Sequence, residues 1–126
     1  MITLSLPQIE EQGFQLAAVE ADAPKVRFSG NGDAEAVPVL DGFLRKLHEE
    51  LLTKRALDVR VDLGDLYFMN SSCLKAFVSW IHKVNTTGRP YSIKLLMNSR
   101  QQWQMRSLAT LQRLAPAVVT IEETAT

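Results

Sequence analysis

Apolar residues in this chain recur at every second position in some stretches and at every third or fourth in others, and the two spacings alternate several times. A period of two buries one side of a strand, and a period between three and four buries one stripe of a helix. The alternation therefore predicts an α/β chain. Phe14 to Ala21 and Lys25 to Ser29 are expected as two neighbouring strands joined by the turn Asp22-Ala23-Pro24. The run Gly30-Asn31-Gly32-Asp33 is expected to stop the second, because glycine and asparagine tolerate the positive φ of a tight loop.

From about Glu35 to Lys54, Leu40, Phe43, Leu44, Leu47 and Leu51 share one helical stripe, with Pro38 in the first turn, where its missing N–H costs no helical bond. Leu57, Val59, Val61 and Leu63 then alternate with Asp58, Arg60 and Asp62, as in a strand with one buried face. A second helix is expected from about Ser71 to Val84, its inner stripe Leu74, Phe77, Val78 and Ile81 widened by Cys73, Ala76, Trp80 and Val84. Gly88 and Pro90 end it. Ile93, Leu95 and Met97 mark another strand. A third helix from about Arg100 to Arg113 has Met105, Leu108 and Leu111 inside, and Val118, Val119 and Ile121 close the series.

The order β-β-α-β-α-β-α-β implies right-handed crossovers and a mixed, mostly parallel sheet with the first hairpin at one edge. Charges alternating along the strands (Arg27, Asp58, Arg60, Asp62, Lys94) place the helices mainly on one face. Residues 1–126 are expected to form one domain, since a chain of this length buries enough surface for a single core.

Charge narrows the function classes. Fourteen Lys plus Arg balance 14 Asp plus Glu, which argues against a nucleic-acid or anionic-membrane partner, because both require a basic field. The single cysteine, Cys73, excludes an internal disulfide and any Cys/His zinc cluster. Proline and two glutamates interrupt the first residues before a signal-peptide core could form, and no apolar run approaches the ~20 residues of a membrane span, so a cytoplasmic protein is expected.

The most informative stretch runs from Val61 to Phe77, where a buried strand leads through a short apolar connection to Asn70-Ser71-Ser72-Cys73-Leu74 at a helix start. Asn70 or Ser71 can cap that helix by accepting from a first-turn N–H. Capping uses one polar residue, and three in succession exceed it. A hydroxyl at a helix start also suits phosphorylation, since the added charge of about −1.5 to −2 sits where the helix dipole favours an anion. A capping cluster and a modification site both remain open on the residues alone.

This segment resembles the central motif of the STAS family, the anti-sigma factor antagonists, in which a buried strand leads to Asp-Ser-Ser-Gly-Leu at a helix start. Upstream, Phe28-Ser29-Gly30-Asn31-Gly32-Asp33-Ala34 resembles that family's second strand and its Gly-x-x-Asp-Ala turn, and the two motifs stand in family order. The resemblance spans roughly residues 14–122. Asn70-Ser71-Ser72 followed by Lys75, with Gly88-Arg89-Pro90 after the helix, is also similar to one branch of bacterial STAS-like regulators.

The resemblance implies a STAS-like fold and a partner-switching, non-enzymatic role without a bound cofactor. Ser72 takes the place of the phosphorylated serine, with Ser71 as second choice. Asp33, Asn31, Asn70, Ser71, Cys73 and Lys75 are expected on the partner surface. The implied partners are an anti-sigma factor or serine kinase, which supplies ATP and magnesium, and a PP2C-type phosphatase. No nucleic acid, membrane insertion or association beyond a weak homodimer is expected. Asn70 stands in place of the family's Asp and Cys73 in place of its Gly, so a thiol is expected to obstruct close approach at the interface.

Two other readings stay open: a constitutive STAS interaction subunit, scaffolding or transporter-associated and never phosphorylated, and a small thiol enzyme using Cys73 at a helix N-terminus. His48 and His82, among charged residues, are expected at the surface without a metal. Gly30-x-Gly32 lacks the third glycine of a dinucleotide site. Trp80 fits equally a buried helix face and a partner-binding anchor. The arginines of the last helix read as a solvated edge.

Overall fold

The computed structural model describes residues 4–19 and 23–124. The chain order is β1 (Ile9–Glu11), β2 (Phe14–Val19), β3 (Lys25–Gly32), a 3-10 turn Ala34–Ala36, α1 (Val37–Thr53), β4 (Asp58–Asp62), β5 (Leu66–Met69), α2 (Ser71–Thr86), β6 (Ser92–Met97), α3 (Gln102–Leu114) and β7 (Val119–Glu123). One sheet runs β1-β2-β3-β4-β6-β7, antiparallel through the first three strands and parallel thereafter, with β5 paired in parallel to the far end of β3. The expected edge hairpin and parallel run are both present. The expected extension of β2 to Ala21 and the turn residue Asp22 lie outside the described residues.

The strands alternate as their sequences demand. Val26 and Phe28, Val59 and Val61, and Ile93 and Leu95 are buried under the helices. Their neighbours form an open polar face where Asp62 pairs with Arg27 at 3.3 Å and Lys25 at 4.0 Å, and Lys94 with Glu122 at 3.4 Å. Phe28 ties the layers together: its ring meets Phe43 of α1 edge-on at 5.5 Å and Phe77 of α2 at 5.6 Å.

Several expectations need correction. Gly30–Asp33 does not stop the strand: β3 continues to Gly32 through a register shift between Gly30 and Asn31 and gains β5 as a partner. β1 and β5 are additional strands. Leu57 is 84% exposed, because Arg55 at φ +54° turns the chain so that Ala56 faces the core instead. On α2 Val78 is exposed, while Phe77 and Ile81 of the expected stripe and Cys73, Ala76, Trp80 and Val84 that widen it are buried. On α3, Met105 is exposed and Gln104 is fully buried in its place.

His48 is likewise buried, contrary to the expected surface role. Trp80 Nε1 donates to Tyr91 Oη at 2.8 Å, and Tyr91 Oη lies 2.6 Å from His48 Nδ1. An indole N–H can only donate, so the tyrosine oxygen accepts from Trp80, and with the imidazole hydrogen on Nε2 its own O–H donates to His48 Nδ1. Burial raises the Tyr91 pKa above its ordinary value, and the Trp80 bond offsets this only partly. Tyr91→Phe is expected to cost ~1–3 kcal/mol, measured by urea unfolding, because it orphans a buried indole N–H.

Burial, reinforced by the Lys83 charge and opposed by Glu49, holds the His48 pKa below 6.5. The unfolded chain therefore takes up a proton that the folded chain does not. This contribution to stability is complete above pH 6.5 and is lost as the pH falls through the folded value. Urea midpoints measured across that range are expected to fall more steeply for the natural chain than for His48→Gln. Equal slopes would contradict the assignment.

Candidate functional site

The site is the corner where β3 ends, β5 delivers the chain and α2 begins. Asn70 N–H donates to Gly32 C=O at 2.7 Å, fastening the helix start to the last residue of β3. Asn70 has extended backbone angles (φ −63°, ψ 151°) and its Oδ1 accepts from Ser72 N at 2.8 Å. Asn70 is thus the N-cap, and the chain is hydrogen-bonded on both sides of it, to Gly32 and to Ser72. With the cap supplied by residue 70, neither Ser71 Oγ nor Ser72 Oγ has a hydrogen-bond partner among the described residues. Ser71 is exposed and Ser72 half-buried.

Asn31, Asp33 and Lys75 are exposed on the same corner. Asn31 N–H donates to Gly13 C=O at 3.1 Å, and Asn31 pairs with Phe68 in the β3–β5 register. Asp33 enters through its backbone as well as its charge: Cys73 Sγ lies 3.3 Å from Asp33 C=O and 3.6 Å from Gly32 C=O. Lys75 follows Ser71 by four residues and Ser72 by three, spacings that share one helix face.

Cys73 does not stand on the partner surface. Its side chain is completely buried, pointing inward against the last carbonyls of β3. It therefore obstructs no approach from outside. Burial, and secondarily the Asp33 carboxylate, raise its pKa, so it is a thiol at neutral pH. A nucleophile needs the thiolate and access, and Cys73 has neither, which counts against a thiol enzyme. Among the described residues no cluster of His, Cys, Asp and Glu could hold a metal, and no helix is long and apolar enough to cross a membrane.

Two features of the corner escaped the sequence reasoning. Tyr67 and Phe68 of β5 are 56% and 45% exposed while their neighbours Leu66 and Met69 are buried, so an aromatic pair faces solvent immediately before the helix start. Gln104 of α3 holds the turn that launches β5: its Nε2 donates to Leu63 C=O at 2.6 Å and Leu66 C=O at 3.0 Å, and its Oε1 accepts from Asn98 N at 2.8 Å.

No protein-family model and no curated protein matches the sequence. Solved structures do match. An anti-sigma factor antagonist from Mycobacterium paratuberculosis superposes with a TM-score of 0.65 at 16% identity, over 88% of this chain and 86% of that one. The chain has the STAS-like fold of an anti-sigma factor antagonist. The protein TM1081 gives a TM-score of 0.58 at 18% identity over 98% and 91% of the two chains. The anti-sigma factor antagonist SpoIIAA in its unphosphorylated form gives 0.55 at 19% over 86% and 87%. The two sequence motifs singled out above thus fall at one corner of the antagonist fold, held together by the bond from Asn70 to Gly32.

Proposed function

We propose that this chain is a cytoplasmic partner-switching regulator of the anti-anti-sigma type, which docks an anti-sigma factor with serine kinase activity through the helix start and is released by phosphorylation of Ser72. One observation carries this: the cap is supplied by Asn70, leaving two serine hydroxyls without partners at a capped helix start beside Asp33. The fold shared with antagonists supports it.

Unmodified, the corner offers a docking partner a small polar surface flanked by the aromatic anchors Tyr67 and Phe68, the residue type that dominates interface energetics. A phosphate on Ser72 adds about −1.5 to −2 charges there. It places a second anion near Asp33 and draws Lys75, one turn along, into an intrahelical pair, removing it from the partner. The fold tolerates the modification, because an anion at a helix N-terminus is worth ~0.3–1 kcal/mol of stabilisation. A PP2C-type phosphatase would restore the neutral corner. Asn31, Asn70 and Ser71 complete the proposed surface, and Cys73 supports it from beneath.

Incubation with ATP, magnesium and the serine kinase of the same cell, followed by peptide mass spectrometry, tests the assignment. One phosphate on Ser72 is expected. A phosphate on Ser71 would move the acceptor by one residue, and none on either serine would favour a constitutive, unmodified interaction subunit.

A further inference from the structure

Between α1 and α2, away from the helix start, lies a cavity of about 180 Å³ lined by His48 and Trp80 together with Leu44, Ala76, Ser79 and Lys83, and rimmed by Asp41 and Arg45. Three of its donors have no protein partner among the described residues. In the tautomer that lets the Tyr91 hydroxyl donate to His48 Nδ1, the hydrogen of the neutral imidazole sits on Nε2. That N–H has no protein partner, and it is not sealed from solvent, since the only buried unpartnered side-chain atoms among the described residues are Trp103 Nε1 and Thr124 Oγ1. Ser79 Oγ has no hydrogen bond among the described residues, and Lys83 has no carboxylate partner there. The one carboxylate at the rim, Asp41, is already taken by Arg45 at 3.0 Å. Arg45 and Lys83 stand against Asp41 at the rim and Glu49, whose charge also reaches His48, so the site's attraction for an anion is local to Lys83.

We propose that this groove binds a small carboxylate, with its oxygens on His48 Nε2–H, Ser79 Oγ–H and the Lys83 ammonium and its short carbon body against Leu44 and Ala76. The volume decides the size class. At ~30 Å³ per water the cavity holds roughly six waters, well below the ~300–1,000 Å³ of pockets for drug-sized ligands. A short-chain monocarboxylate fits that volume. The chemistry decides the sign, since three convergent donors, one of them the Lys83 ammonium, suit an anion.

The chain has two tryptophans, one in the groove and one outside it, so their indole N–H resonances provide a signal and a control in the intact protein. Titration with butyrate is expected to shift the Trp80 resonance saturably, with a Kd on the order of 1 mM, and to leave Trp103 in place. Lys83→Met, an exposed substitution, is expected to weaken binding at least ~tenfold, one charge-assisted bond, without changing the unfolding midpoint. Inorganic phosphate binding as tightly as butyrate would overturn the carboxylate assignment. A shift that fails to saturate, matches that given by chloride, or persists unchanged in Lys83→Met would overturn the site.

Discussion

Gly30→Ala is expected to destabilise the protein by ~4 kcal/mol or more, enough to leave a chain of ordinary stability largely unfolded. Gly30 has φ +89°, and a Cβ built on it would lie 1.8 Å from Gly13 C=O and 2.9 Å from Gly13 C. The obstacle is backbone that cannot yield, because Gly13 C=O also accepts from Asn31 N–H and β2 is paired on both sides. Left-handed strain alone costs ~1–2 kcal/mol. The collision adds the rest and forces β3 apart where it bends to receive β5. Gly13→Ala is the control: φ is +83° but nothing lies within 4 Å of the added carbon, so only ~1 kcal/mol is expected. Urea unfolding of the two variants checks both, and equal losses would contradict the steric account.

Gln104→Glu is expected to cost ~4 kcal/mol at neutral pH, and Gln104→Leu ~2–4 kcal/mol. Gln104 is fully buried, and its amide satisfies two carbonyls of the β4–β5 turn and one N–H after β6. Leucine preserves the volume but leaves Leu66 C=O and Asn98 N–H without their partner. An ionised glutamate is worse, because it turns an anionic oxygen toward Leu63 and Leu66 carbonyls. That environment raises the carboxyl's pKa in the folded state, so the folded chain holds the extra proton. Stability is then regained as the pH falls, and urea midpoints of Gln104→Glu should rise on acidification relative to Gln104→Leu. A Gln104→Glu variant whose loss is independent of pH would contradict the direct bonds to the two carbonyls.

The architecture was legible wherever periodicity had room to repeat. β4 and β6 alternate over enough residues to fix their faces, and α1 carries its stripe for several turns. β1, with two glutamates in three residues, and β5, whose four residues are buried only at the ends, are too short to show a period, so pairing with longer strands decides them. The buried face of α2 was legible except at Val78, and that of α3 except at Met105 and Gln104. Positions 73, 77, 80 and 84, and 104, 108, 111 and 115, step by four, three and four and follow the 3.6-residue turn. Met105, Leu108 and Leu111 step by three and drift off it. Gln104 was therefore detectable as the polar residue on the better stripe.

His48 falls between Leu44 and Leu51 on the inner face of α1 and was hidden by its charged neighbours. At the site, the serine pair and Asp33 were identifiable from short motifs. The aromatic pair of β5 and the inward thiol of Cys73 depend on how β5 docks on β3, which no local pattern encodes.

The proposal that Ser72 acts as a charge switch on a fixed docking corner is tested most directly by one pair of binding constants. Calorimetry should compare the affinity of the serine-kinase anti-sigma factor for the unmodified chain and for the same chain carrying one phosphate on Ser72. The phosphate is expected to weaken binding ~30-fold or more, the equivalent of ~2 kcal/mol or more for an unpaired anion at an interface, with the fold intact by circular dichroism. Equal affinities for the two forms would contradict the switch.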